Sequence, residues 1–187
     1  MRAFPIAAVA ISALLLAGCA QTAVPGATTP TPSVTPSPTV ATLSEKPVTL
    51  TVGQAVDLSG TRGLVKATVT VDEIEENAEC ASGEETPELG QFVAVTLSAV
   101  QGADKTFDFA TYTWLVVGVD GVESDARAEV VTGRCVAAAD RLGTAYDASG
   151  RVTGTVLLDA PAALSRILVR NTLATPPVTL TIELPPR

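Results

Sequence analysis

From Gln91 to Val100 the chain alternates, with Val93, Val95 and Leu97 falling on one face and smaller or polar residues on the other. A period of two is what a pleated strand with one buried face requires. The same pattern recurs. Val48, Leu50 and Val52 alternate with Thr49 and Thr51; Val65, Ala67, Val69 and Val71 with Lys66, Thr68, Thr70 and Asp72. Tyr112, Trp114 and Val116 alternate in a run that ends at Asp120-Gly121, a hairpin turn signal. Val152, Val156 and Leu158 share a side, Ser165 to Arg170 is a further apolar run, and Val178, Leu180, Ile182 and Leu184 alternate with Thr179, Thr181 and Glu183. Some seven or eight such runs, broken by Gly, Pro and Asp, predict an all-β fold, an antiparallel β-sandwich. No long segment carries a helical stripe. Asp125–Val131 and Cys135–Leu142 are read as short helices or irregular loops, and nothing repeats the β and α units of a two-lobed solute receptor.

The amino-terminal end is of a different kind. One arginine, Arg2, precedes an uncharged run from Ile6 to Ala17, roughly a dozen residues, the size of a secretion leader. A membrane-spanning helix takes about 20 apolar residues, so this run is short for an anchor. It ends in Leu16-Ala17-Gly18-Cys19, which fits all four positions of a bacterial lipobox; an ordinary secretory signal with an incidental cysteine is the other reading. Cleavage before Cys19 and transfer of a diacylglycerol to its sulfur are therefore expected. Two acyl chains hold a protein on a membrane durably where one does not. Residues 19–44 are then a lipidated cysteine and a linker of Thr, Pro, Ser and Ala, with too little apolar mass to pack and therefore expected to be disordered. In an extended polyproline conformation it would reach up to roughly 75 Å. Its Thr and Ser residues are candidate O-glycosylation sites. The expected organisation is a leader over 1–18, the linker over 19–44 and one domain over 45–187, roughly 140 residues, enough to bury about two thirds of the unfolded surface.

Charge and composition then exclude function classes. The 187-residue chain has a net charge of −8 and scattered Lys and Arg, so nucleic acid is not an expected partner. It contains no histidine, which removes Ser-His and Cys-His nucleophile pairs, His-containing zinc sites and His-ligated haem. Of the three cysteines, Cys80 and Cys135 remain once Cys19 takes the lipid. An even pair in an exported domain is expected to form a disulfide. Closing a loop of about 55 residues stabilises a fold by roughly 4 kcal/mol in the chain-entropy model. A redox pair is the alternative, and the spacing has none of the Cys-x-x-Cys character that chemistry uses.

Several stretches together resemble a known family. They are Val52-Gly53-Gln54-Ala55-Val56, the run Leu64 to Val71, Leu89-Gly90-Gln91-Phe92-Val93-Ala94-Val95, Trp114-Leu115 through Asp120-Gly121, and Gly150 to Pro161 with Gly154, Val156 and Asp159. Their order is similar to that of the bacterial immunoglobulin-like extracellular domains of unknown function related to a mycobacterial secreted immunoprotective antigen. That resemblance implies an immunoglobulin-like sandwich and an extracellular location, often as a lipoprotein on a Thr/Ser/Pro tether. It implies no catalytic group.

Two constellations bear on function. Asp72, Glu73, Glu75, Glu76, Glu79, Glu84, Glu85 and Glu88 make an acidic segment that is either a calcium site or a solvated connection pinned by Cys80; the spacing matches no calcium loop. Phe107, Phe109, Tyr112 and Trp114 either line a binding face or belong to the core, as a central-strand Trp commonly does. No catalytic, cofactor or metal residue is assigned. The expected function is non-enzymatic: a lipoprotein held on the outer side of the cell membrane through Cys19, whose domain contacts a surface or envelope protein. Small-ligand or calcium binding is the alternative, and an envelope hydrolase the third reading.

Overall fold

The computed structural model describes residues 39–42, 47–59, 65–102, 107–143, 146–171 and 178–184. Cys19, the leader and most of the linker lie outside them. Among the described residues ten strands form two five-stranded sheets. The first sheet contains β1 (Thr39–Thr42), β3 (Ala55–Ser59), β4 (Val65–Glu76), β5 (Gly90–Gln101) and β8 (Arg151–Pro161), in the order β1-β3-β4-β5-β8. The second contains β2 (Val48–Leu50), β6 (Thr113–Gly118), β7 (Glu123–Asp125), β9 (Leu164–Asn171) and β10 (Val178–Glu183), in the order β2-β10-β9-β6-β7. Pairing is antiparallel except at two edges, where β1 runs parallel to β3 and β2 parallel to β10. An all-β immunoglobulin-like sandwich is therefore the observed architecture.

Most runs with a period of two in the sequence are strands with their apolar face turned inward; the first ends at Leu50, with Val52 beyond it exposed, and Tyr112 and Leu184 lie just outside β6 and β10. Val93, Val95, Leu97 and Ala99 on β5 meet Val69 and Val71 on β4, Leu158 on β8, and Ile167, Leu180 and Ile182 from the other sheet in one core. All of these are fully buried. Fully burying a Val or Leu side chain stabilises by about 1.5–3 kcal/mol, so a one-residue slip is costly: the β5–β8 register runs unbroken, and β4–β5 shifts once, at a bulge between Val71 and Glu73. Phe107, Phe109 and Trp114 are buried in the same core and Tyr112 packs against it. The Phe107 and Phe109 rings meet edge to face at 4.9 Å. Asp120-Gly121 turns the β6–β7 hairpin: the Gly121 N–H donates to the Gly118 carbonyl at 3.0 Å, and Gly121 takes a left-handed φ of +80°.

Three elements are additional to the sequence reading. Strand β3 was visible there only as the Ala55-Val56 opening of the domain, and β7 is too short to show a period. Strand β1 lies inside the stretch expected to be linker, so among the described residues strand structure begins at Thr39, ahead of Glu45, the expected start of the domain. Its β-branched Thr39, Val40 and Thr42 suit a strand, and pairing with Val56 to Ser59 gives the segment a partner that composition alone does not reveal.

Among the described residues one α-helix is present, α1 (Ala128–Cys135), and it occupies part of the region left open between helix and loop. It lies along the free edge of β8. Val131 and Cys135 pack on Phe92 and Leu157, which project from the face of β5 and β8 opposite the main core, and form a second, smaller apolar cluster with Cys80. The edge of β8 is closed by this same stretch of chain. The Thr155 N–H donates to the Asp140 carbonyl at 2.7 Å, the Leu157 N–H to the Thr132 hydroxyl at 2.8 Å, and the Asp159 N–H to the Ala126 carbonyl at 2.9 Å. Gly154 permits the close approach: a Cβ there would overlap the Arg141 carbonyl and the Leu142 N–H. Gly133, inside α1, faces open space.

These two glycines are expected to respond to alanine with opposite signs. Gly154→Ala should destabilise by about 2 kcal/mol or more, because backbone must move to admit the methyl. Gly133→Ala should stabilise by about 0.5–1 kcal/mol through helix propensity. Denaturant unfolding of both variants checks the pair; equal effects would contradict the packing of residues 140–142 on β8.

Candidate functional site

The connection between β4 and β5 carries the acidic segment, and it is tied to α1 at three points. Cys80 and Cys135 form a disulfide, with an S–S distance of 2.05 Å. The pairing expected from the cysteine count is thus the one present. Glu85 forms an ion pair with Arg134. Arg127 pairs with Glu88 at 2.6 Å and reaches Asp159 at 3.4 Å. The segment is therefore a connection pinned at Cys80, and two of its carboxylates neutralise the arginines of the helix. Among the described residues no three Cys, Asp or Glu side chains converge as a metal-holding group.

Asp159 is the residue that the sequence reading underweighted, naming it only within the Gly150–Pro161 segment. Its side chain is fully buried. The carboxylate accepts the Glu88 N–H and the Leu89 N–H, each at 2.9 Å, and faces Arg127. A buried charge is tolerated only when paired and hydrogen-bonded, and this one is both. The available signal was an aspartate inside the apolar run Leu157-Leu158-Asp159-Ala160, where only a fully satisfied carboxylate can sit. Arg127 itself holds a left-handed φ of 50°, with its N–H donated to Asp125 at 2.7 Å. That turn sends the chain from β7 into α1.

Where β6 faces β8 across the sandwich, α1 closes the side of the molecule only in part. A cleft of about 190 Å³ remains, walled by Phe109, Tyr112, Trp114, Leu142 and Val156, with Ala128, Glu129 and Thr132 of α1 on its other side. A wider recess of about 330 Å³ adjoins it, sharing Tyr112, Trp114, Ala128 and Glu129 and adding Asp125 and Arg127 at its rim. Of the four aromatics weighed in the sequence, three are core, and Phe109, Tyr112 and Trp114 also line this cleft. The cleft is thus an unfilled margin of the core.

The electrostatics of the cleft follow from burial and from its rim. Burial pushes the Tyr112 phenol up from 10.0 to about 12, opposed by a hydrogen bond with Asn171 and helped by Tyr146. Tyr146 is raised as well, again by burial first and then by Asp108; its hydroxyl donates to the Phe107 carbonyl at 3.0 Å. Glu129 is exposed and makes no ion pair among the described residues, whereas Arg127 is already engaged by Glu88 and Asp159. The rim is therefore net negative.

Comparison with known proteins bears on the fold. A structure of the secreted protein MPT63 from Mycobacterium tuberculosis superposes with a TM-score of 0.52 at 17% identity, covering 75% of this chain and 100% of that one. The likeness to the mycobacterial antigen expected from the sequence motifs thus holds at the level of the β-sandwich. No family model and no curated protein sequence matches the chain. Among the described residues no helix is long and apolar enough to cross a membrane.

Two measurements test the site. Asp159→Ala should cost about 3 kcal/mol, because it leaves two buried N–H groups and a guanidinium without their acceptor; a loss below about 1 kcal/mol in chemical denaturation would show that the carboxylate is not the latch. Phenolate absorbance should show the Tyr112 step displaced from the ordinary 10.0 to about 12 in the folded protein, a step that Tyr112→Phe removes. The folded state holds that proton more tightly than the unfolded chain. Its contribution to stability is therefore complete below pH 10 and is lost as pH rises through about 12.

Proposed function

We propose that the chain is a non-enzymatic lipoprotein. Its leader, residues 1–18, is removed; Cys19 carries a diacylglycerol; and residues 20–38 tether the sandwich to the outer face of the cell membrane. The domain then contacts a protein or another envelope component. The observation that carries this reading is Leu16-Ala17-Gly18-Cys19 at the end of a short apolar run, followed directly by a Thr/Pro/Ser stretch. A disulfide suits an oxidising compartment outside the cytosol. Likeness of fold to a secreted protein agrees with export. Asp159, Arg127 and Glu88 on the β8 side of the sandwich are engaged in holding it together, and the chain has no histidine to act as a base.

The sheet edges narrow where a partner strand would add. At β8 the N–H groups of Thr155, Leu157 and Asp159 are taken by the chain's own residues. The edges at β1, β2 and β7 are the ones left for augmentation, the last two only three residues long. Cys19→Ser is the direct test: the variant should leave the membrane fraction and appear in the soluble one, still carrying its leader or cut elsewhere. Unchanged fractionation, with an unmodified Cys19 thiol in the wild-type protein by mass spectrometry, would remove the tether. Cross-linking of the intact lipoprotein in its own envelope should yield a discrete adduct if the domain contacts a protein.

A further inference from the structure

We propose that the cleft between β6 and α1 binds a small organic ammonium ion, its alkyl or aryl part against Phe109 and Trp114 and its charged head toward Glu129. The inference does not depend on the tether or on a protein partner. Size comes first. An apolar cavity of about 150 Å³ takes up one benzene, so a cleft of about 190 Å³ admits a single ring or a short alkyl chain and nothing much larger. The walls match that occupant: Phe109, Trp114, Leu142 and Val156 are apolar, and the cleft is open on one side.

Charge selects the head group. The recess outside the cleft is bordered by Asp125, Glu129 and Arg127. Arg127 is compensated twice, by Glu88 at 2.6 Å and by the buried Asp159 at 3.4 Å. Glu129 has no such partner among the described residues and stands at the junction of the cleft and the recess. A cation seated there meets a carboxylate on one side and the rings of Tyr112 and Trp114 on the other, and ring faces attract ammonium groups. An anion would meet the two rim carboxylates. A neutral alcohol would gain the apolar wall and lose the electrostatic part.

The chain has a single tryptophan, Trp114, which lines both the cleft and the adjoining recess, so tryptophan fluorescence reports on this region of the molecule. The experiment titrates the full chain with n-butylammonium, benzylammonium, n-butanol and butyrate, and with Nα-acetyl-lysine amide. Saturable change of Trp114 emission with the ammonium ions is expected, at roughly ten-fold lower concentration than with butanol and with no saturation by butyrate. Glu129→Gln, an exposed change that leaves the core intact, should weaken the ammonium ions roughly five- to ten-fold and leave butanol unchanged. Glu73→Gln, a carboxylate of β4 that does not border the cleft, should change nothing. Saturation by the lysine derivative as well would assign the head group to a protruding lysine side chain; saturation by the simple amines alone would assign it to a free small amine. No saturable response to either amine, or equal affinity for butylammonium and butanol, would overturn the proposal.

Discussion

A strand at the edge of a sheet has one row of backbone groups that must find partners. In this protein the row on β8 determines where the neighbouring chain goes. Thr155, Leu157 and Asp159 donate in turn to Asp140, Thr132 and Ala126, so the stretch on either side of and within α1 is held against a single strand. Everything else on that side follows. The helix can then bury Val131 and Cys135 on Phe92 and Leu157, place Cys135 at Cys80, and bring Arg127 to Asp159. Burying β8 without those acceptors would leave three unpaired N–H groups, each costing about 1–3 kcal/mol.

The clamp between the acidic connection and the helix combines contributions of unlike kind. The disulfide acts mainly on the unfolded chain, closing a loop across 55 residues for about 4 kcal/mol. Arg134 with Glu85 is a largely exposed pair of small worth. Asp159 is different, because its two N–H bonds fix the last residues before β5 in a geometry that a surface pair cannot impose. Loss of the covalent link and loss of the carboxylate would therefore weaken the same region by separate routes, one through the denatured ensemble and one through the native contacts.

Strands with three or more regularly alternating apolar residues were legible in the sequence: the run of Val93, Val95 and Leu97, or of Val178, Leu180 and Ile182, has one physical meaning when a face is buried, whereas β3, with only Val56 and Leu58 inward, was not legible as a strand. The hairpin at Asp120-Gly121 and the cysteine pair were equally plain. Strands β1 and β7 were not, because their identity comes from a partner strand and not from their own pattern. Helix α1 was ambiguous for a similar reason. Its burial rests on Ala128, Val131 and Cys135, too sparse a set to make a stripe, and its position is fixed by hydrogen bonds to β8. Of the candidate site, the aromatics were visible and their weighting toward core was right for three of the four. The cleft itself was not visible, since it is a gap left where Leu142, Ala128 and Val156 fail to meet, and a gap has no sequence signature.

The bond between Cys80 and Cys135 also bears on how the protein would survive damage. Every peptide link from Ala81 to Arg134 lies inside the covalent ring that it closes. A protease cutting once anywhere in that span would release no fragment. The nicked molecule would remain one covalent body of nearly unchanged mass, with both sheets still joined, until a reductant opened the ring and let the two pieces part.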